Sequence, residues 1–156
     1  MGRTKRLIER AGLNLLLLYK ALVSPVALGV CALVEDAAGR IVLVRHSYQS
    51  GWHLPGGGVD RGEAPAAAVI RELREELGFV RGAAPEFVGL FTRRVGLVTN
   101  VVALYRVRDA EIAFRPSWEI REIVHADPAD PPPGTIASAR RRLAEHLGLS
   151  PPGPWW

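Results

Sequence analysis

Apolar residues in this chain come in two rhythms, and the alternation between them predicts its elements. From Arg3 to about Val23, leucines and valines recur among basic and polar residues in an amphipathic pattern, so a helix is expected there. Ser24-Pro25 ends it, and a new strand is expected from Val26. Two apolar runs follow, Val26 to Val34 and Ile41 to Val44, separated by Glu35-Asp36-Ala37-Ala38-Gly39, a plausible hairpin turn that would set the two strands side by side. The segment SYQSGWHLPGGG then reads as an irregular loop.

Between Glu63 and Leu77 the rhythm turns helical, with Ala66, Ile70, Leu73 and Leu77 on one arc and Val69 at its border. Pro65 suits the first turn and Gly78 the position past the end. EFVGLFTRRVG and TNVVALYRVR predict two more strands, WEIREIVHA a shorter one, and ADPADPPPG a loop. Thr135 is expected to cap a final helix with Ile136, Ala139, Leu143 and Leu147 on one face and Gly148 at its close. The sum is an α/β chain with a mixed sheet covered by helices: residues 1–25 an N-terminal amphipathic helix, 26–148 one domain, and 149–156 a Pro/Trp tail.

Length and composition agree with one globular domain: 156 residues, 48% hydrophobic and 23% charged. The net charge of +4 favours an anionic partner, with the basic excess spread over Arg3, Lys5, Arg6, Arg93, Arg94 and Arg140 to Arg142. That balance suits a small phosphorylated molecule as well as nucleic acid, but the scatter offers no continuous basic groove, so a nucleic-acid partner is not expected. Cys31 is the single cysteine, which forbids an intrachain disulfide and points to a reducing, cytoplasmic compartment, with Cys31 itself expected as a small buried hydrophobe. The first helix, interrupted by Tyr19 and Lys20, is too short for a bilayer span, so packing on the domain or on a second subunit is preferred to membrane attachment.

The chemistry concentrates in GGGVDRGEAPAAAVIRELREELGF. On a helix, Glu72, Glu75 and Glu76 share an arc of about 100°, beside the apolar arc. Like charges that close repel unless a cation neutralises them, and hard divalent ions take carboxylate oxygens together with substrate phosphates. A Mg²⁺ or Mn²⁺ site is the resolution, against the plainer reading of a solvated helix face.

Gly57, Glu63, Arg71, Glu72, Glu75, Glu76 and Gly78, with apolar Leu73, match the signature of the Nudix hydrolases, G-x5-E-x7-R-E-U-x-E-E-x-G-U, where U is aliphatic. Phe79 departs from the last position while keeping its apolar character, and WHLPGG resembles the family's usual approach to the box. The resemblance implies an α/β/α sandwich and a metal-dependent pyrophosphohydrolase that cleaves a nucleoside diphosphate linked to another group. It further implies that Glu72, Glu75 and Glu76 ligate the metal, with the Gly57 carbonyl beside them. Arg71 resembles the family's arginine that orients a box glutamate. Glu63 either reaches a second metal through water or favours the helix N-terminus. The general base would come from the box or from a later glutamate, Glu119 or Glu122.

Outside the box, Arg45, Arg93 and Arg94 are candidates for substrate phosphates, against the alternative of surface ion pairs. Trp52 either stacks on a base or packs in the core, and His46 and His53 lack partners at zinc spacing. Pro154-Trp155-Trp156 suggests a subunit contact, and so a homodimer, or a lid. The resemblance leaves the substrate open, because the markers of the ADP-ribose, diadenosine polyphosphate, NADH and coenzyme A groups are absent. Action on small nucleotide derivatives is the first expectation. Trimming of RNA 5′ ends is the alternative, followed by a non-catalytic nucleotide-sensing role, which the complete box disfavours.

Overall fold

The computed structural model describes the backbone of residues 2–156, and the side chains of Arg10 and of residues 12–156. Along the chain lie α1 (Gly2–Val23), β1 (Val26–Val34), β2 (Ile41–His46), α2 (Pro65–Leu77), β3 (Phe79–Arg81), β4 (Glu86–Val95), β5 (Val98–Val107), β6 (Glu111–Ile112), β7 (Ile120–Ala126) and α3 (Ala137–His146). The strands form a sheet in the order β1-β5-β4 and the pairs β2-β7 and β3-β6. β1 runs parallel to β5, from Val26 opposite Thr99 to Val34 opposite Val107, whereas β4 and β5 form an antiparallel hairpin. The sheet is therefore mixed.

Because β2 and the second half of β1 are buried on both faces, their sequences read as continuous apolar runs rather than alternating ones, while Val26 to Leu28 at the start of β1 are exposed. Alternate residues feed two separate cores. Val30, Val34, Val42, Val44 and Ile120 pack against Val69, Leu73 and Leu77 of α2, and Leu33, Ile41, Leu43 and Leu104 pack against Ala139 and Leu143 of α3. Sheet between helices is the α/β/α sandwich. Leu73 and Leu77 are each 0% exposed, contributing about 2 kcal/mol apiece toward holding α2 in place.

Four expectations need correction. The turn after β1 forms, with Gly39 N–H donating to the Asp36 carbonyl at 2.9 Å, but β1 and β2 do not lie side by side. The segment Trp52 to Val59, expected as an irregular loop, is laid between them instead. Its backbone pairs with β2 at His53–Val44 and with β1 through Pro55 to Ala32, Gly57 to Val30 and Val59 to Leu28. Thr135 is not the cap of α3: its hydroxyl donates to the Pro132 carbonyl at 2.7 Å, Ile136 takes the cap position, and Leu147 is exposed. Finally, the described part of α1 does not pack on the domain, since every residue from Gly12 to Val23 is exposed. No described helix is long and apolar enough to cross a membrane.

Candidate metal and phosphate site

The buried arc of α2 comprises Ala68, Val69, Leu73, Leu77 and also Glu76, while Ala66 is exposed. Core and carboxylate arcs therefore overlap at Glu76, which is only 5% exposed, where the sequence pattern set them side by side. The segment beside β1 makes this possible. Gly56 stands at φ 143°, and a side chain there would meet the Val30 carbonyl oxygen at 2.1 Å, so only glycine can bring its N–H to Glu76 Oε2, 2.8 Å away. At Gly57 an added Cβ would sit 2.6 Å from the Glu72 carboxylate, which is how closely that side chain lies over the backbone. The Gly57 carbonyl already accepts from Val30 N–H at 2.9 Å and has one lone pair left.

Arg71 ties the rest together. Its Nε and Nη2 fork onto the two oxygens of Glu63 at 3.0 and 2.9 Å, and Nη1 donates to Glu72 Oε1 at 2.7 Å and to Glu75 Oε2 at 3.4 Å. Nη2 also donates to the Gly58 carbonyl at 2.9 Å. Glu63 accepts a further bond from Asp60 N–H, and the Arg71 guanidinium holds its carboxyl below the usual glutamate range. The structure thus places Glu63 on Arg71, with both oxygens engaged.

Burial pushes the Glu76 carboxyl up to about 8 against its ordinary 4.5, offset by the Gly56 N–H and reinforced by neighbouring Glu72 and Glu119. Glu72 is raised by the same desolvation, which outweighs its bond to Arg71. Within 4.8 Å of one another lie a Glu76 oxygen, a Glu119 oxygen and a ring nitrogen of His46. Tyr48 donates its hydroxyl to Glu119 Oε1 at 2.9 Å, and its ring and that of His53 flank His46 at 5.3 and 5.1 Å. Nδ1 of His46 is buried without a hydrogen-bond partner, and burial lowers its pKa, which keeps the imidazole neutral. Two carboxylates and a neutral imidazole with a free lone pair fit a divalent cation, and protonation of Glu76 is what burial imposes without one.

The two later glutamates separate. Glu119 joins the cluster, whereas Glu122 pairs with Arg45 across the β2-β7 ladder, where both are exposed by more than a third. Arg45 also lies 4.3 Å over the Trp52 ring, and Trp52 itself is 7% exposed in the core under α3. Strand alternation divides the arginine pair on β4. Arg93 lines the groove beside Gly56 and Gly57, and Arg94 turns back to the Gly96 carbonyl.

Two connected grooves, about 270 and 290 Å³, share Cys31, Gly56, Gly57, Arg93 and Trp156 as walls. Cys31 is half-buried there, packed against the core under α3, and desolvation with nearby Glu76 pushes its thiol up to about 12. A larger depression of about 790 Å³, around Asp36, Asp109 and His125, contains no residue of the box and holds no comparable cluster. Trp156 reaches the groove because the tail is fastened to β4: Thr92 N–H donates to the Pro154 carbonyl at 3.1 Å and Trp156 N–H to the Thr92 carbonyl at 3.0 Å. Sequence reasoning set His46 aside as a ligand and missed Tyr48. Both stand at the end of β2, and only the pairing of that strand with β7 brings them to Glu119.

Comparison with known proteins converges on one family. The NUDIX domain model matches residues 25–147. An RNA pyrophosphohydrolase of Gluconacetobacter diazotrophicus is 38% identical over 41% of this chain and 46% of its own, and one of Acidiphilium cryptum is 44% identical over 35% and 36%. The chain thus spans less than half the length of these curated relatives. Among solved structures, a MutT NUDIX hydrolase from Burkholderia pseudomallei superposes with a TM-score of 0.66 at 24% identity, over 76% of this chain and 95% of that one. The E. coli ORF135 protein gives 0.64 at 27% identity, over 80% and 89%.

Proposed function

This chain belongs to the NUDIX domain family, and from that premise we propose that it is a divalent-metal-dependent pyrophosphohydrolase of small nucleoside diphosphate derivatives. The observation that supports this reading most is the Arg71 hub, which holds Glu72 and Glu75 on one side of α2 while Gly56 anchors Glu76 beside them. Such an arrangement commits a guanidinium, a buried carboxylate and a glycine to fixing three carboxylates on one helix, of which Glu76 also joins Glu119 and His46.

Glu72, Glu75 and Glu76 would hold the ion, with the free lone pair of the Gly57 carbonyl and, from the β2-β7 side, His46. When bound, Mg²⁺ or Mn²⁺ neutralises charge on the phosphoryl oxygens and lowers the pKa of the attacking water. Arg71 acts through the glutamates rather than on substrate, because its donors are already committed to Glu63, Glu72 and Gly58. Glu63 acts by fixing Arg71. Glu119 stands closest to a general base, since it adjoins Glu76 and is only partly buried, so it can accept a proton from water and release it. Arg93 and Trp156 line the groove where a diphosphate and its nucleoside would lie.

A second reading, removal of pyrophosphate from RNA 5′ ends, is favoured by the names of the matched relatives. The small grooves favour the first. Purified protein with Mg²⁺ or Mn²⁺ should be assayed against nucleoside triphosphates, nucleotide sugars, dinucleotides, ADP-ribose and triphosphorylated RNA. Turnover confined to the small molecules is expected. Turnover of RNA alone, with a steep loss in salt, selects the second reading, and no turnover of any member sinks both.

A further inference from the structure

The apolar surface of α1 from Gly12 to Val23 has no partner among the described residues, and the helix's charge says what covers it. Leu15, Leu18, Tyr19 and Leu22 form one stripe at helical spacing, and they are exposed to 69, 57, 61 and 74%. Arg10 and Lys20 each lie about 140° round the helix from Leu15, on opposite sides. With the helix bounded, the charge distribution also reads differently. Gly2–Val23 contains Arg3, Lys5, Arg6, Arg10 and Lys20 against Glu9 alone, while the other 15 basic and 15 acidic residues cancel. The whole net charge of +4 is therefore carried by this one helix, not scattered over the chain.

The adjoining surface continues the pattern. Thr99 N–H donates to the Pro25 carbonyl at 3.1 Å, which sets the β4–β5 turn beside the end of α1. That turn presents Leu97, 86% exposed, and Val95, 51% exposed, with Arg94 next to them. Exposed Leu13 and Leu17 share the far side with Arg10 and Lys20, so the Leu15 stripe is the face free of described cations, and with a second apolar tip at the same end of the molecule it makes a surface that sinks shallowly into a bilayer interface. A second copy of the chain would cover the leucines, but it would bring two helices of the same positive charge together.

We propose that α1, with the Val95–Leu97 turn, docks this protein on anionic lipid surfaces as a peripheral, non-spanning anchor. The docking uses no residue of the metal site. It is tested by sedimenting the full chain with vesicles of phosphatidylcholine alone and of equimolar phosphatidylcholine and phosphatidylserine, at low and high salt. Binding to the anionic vesicles should fall at least about tenfold in high salt or in the double variant Arg10→Glu, Lys20→Glu. The double variant Leu15→Asp, Leu18→Asp should stay in the supernatant while keeping the far-ultraviolet dichroism of the domain and its thermal transition. Failure of the wild-type chain to sediment at low salt overturns the proposal, as does equal sedimentation of the aspartate variant. So does light scattering that shows a dimer which the aspartate variant breaks, because the leucines then serve a second copy.

Discussion

The Gly56 N–H and the Glu76 carboxylate meet at 2.8 Å, and this bond joins the segment between β1 and β2 to the centre of the buried face of α2. Among the described residues it is the one hydrogen bond given to a carboxylate that burial otherwise discourages from ionising. Glu76→Gln keeps the shape and can accept the same bond, but it removes the charge a cation needs. Metal affinity measured by calorimetry should fall more than about 100-fold, beyond what loss of an outer-shell partner costs, and turnover with it. Wild-type affinity in this variant would remove Glu76 from the ligand set.

The same residue sets a pH dependence for the metal-free protein. The folded carboxyl titrates at about 8 and the unfolded one near 4.5, so the folded state holds the extra proton between those values. Stability is thus unpenalised below about 4.5, declines as pH rises through the interval, and reaches its full loss above about 8. Thermal melts in a chelator should show wild type losing ground to Glu76→Gln from pH 5 to pH 8. Saturating Mg²⁺ should close the gap. A constant difference across that range would contradict the buried carboxylate.

Arg71 forks Glu63 and reaches Glu72 from a third nitrogen, geometry that a lysine cannot copy. Arg71→Lys should lower kcat/KM by about 10- to 100-fold through misplacement of Glu72. Glu63→Gln should shift it in the same direction by less. If Glu63→Gln instead abolished metal binding while Arg71→Lys did not, Glu63 would be a ligand in its own right.

His46 adds a nitrogen to an oxygen site. Imidazole suits manganese better than magnesium, so His46→Asn should weaken Mn²⁺ binding about tenfold and Mg²⁺ binding less. Electron spin echo spectra of the Mn²⁺-loaded protein should show nitrogen coupling that the variant lacks. Unchanged spectra would leave His46 a bystander.

Arg142 is 1% exposed, lies 3.8 Å over the Phe91 ring, and donates from Nη2 to Glu145 at 2.7 Å and to the Trp155 carbonyl at 3.2 Å. Arg142→Met keeps the volume but leaves Glu145 buried without its cation. A loss of about 3 kcal/mol is expected in denaturant titrations, with faster proteolysis after Leu149. A variant as stable as wild type would show that Gly153 N–H alone satisfies Glu145.

The box was readable because its chemistry is local: one helix turn carries three carboxylates, and Pro65 and Gly78 bound that helix where the sequence places them. What lay outside local pattern was harder to read. His46 and Glu119 are joined only by the β2-β7 ladder, and periodicity carries no pairing information. The hairpin expected after β1 does not form for a related reason: the turn is local, but the segment from Trp52 to Val59 that comes between the two strands is not. Likewise Glu76 sits at the middle of the buried arc because Gly56 satisfies it, and no helical wheel includes that glycine.

β4 is the outermost strand of its sheet, and an outermost strand offers its unpaired backbone to any other chain that passes. Pro154 to Trp156 take up the groups of Thr92 and lie along that margin. The tail whose Trp156 walls the groove therefore also occupies backbone that an outermost strand leaves open, so one short segment shapes a cavity and closes part of an edge.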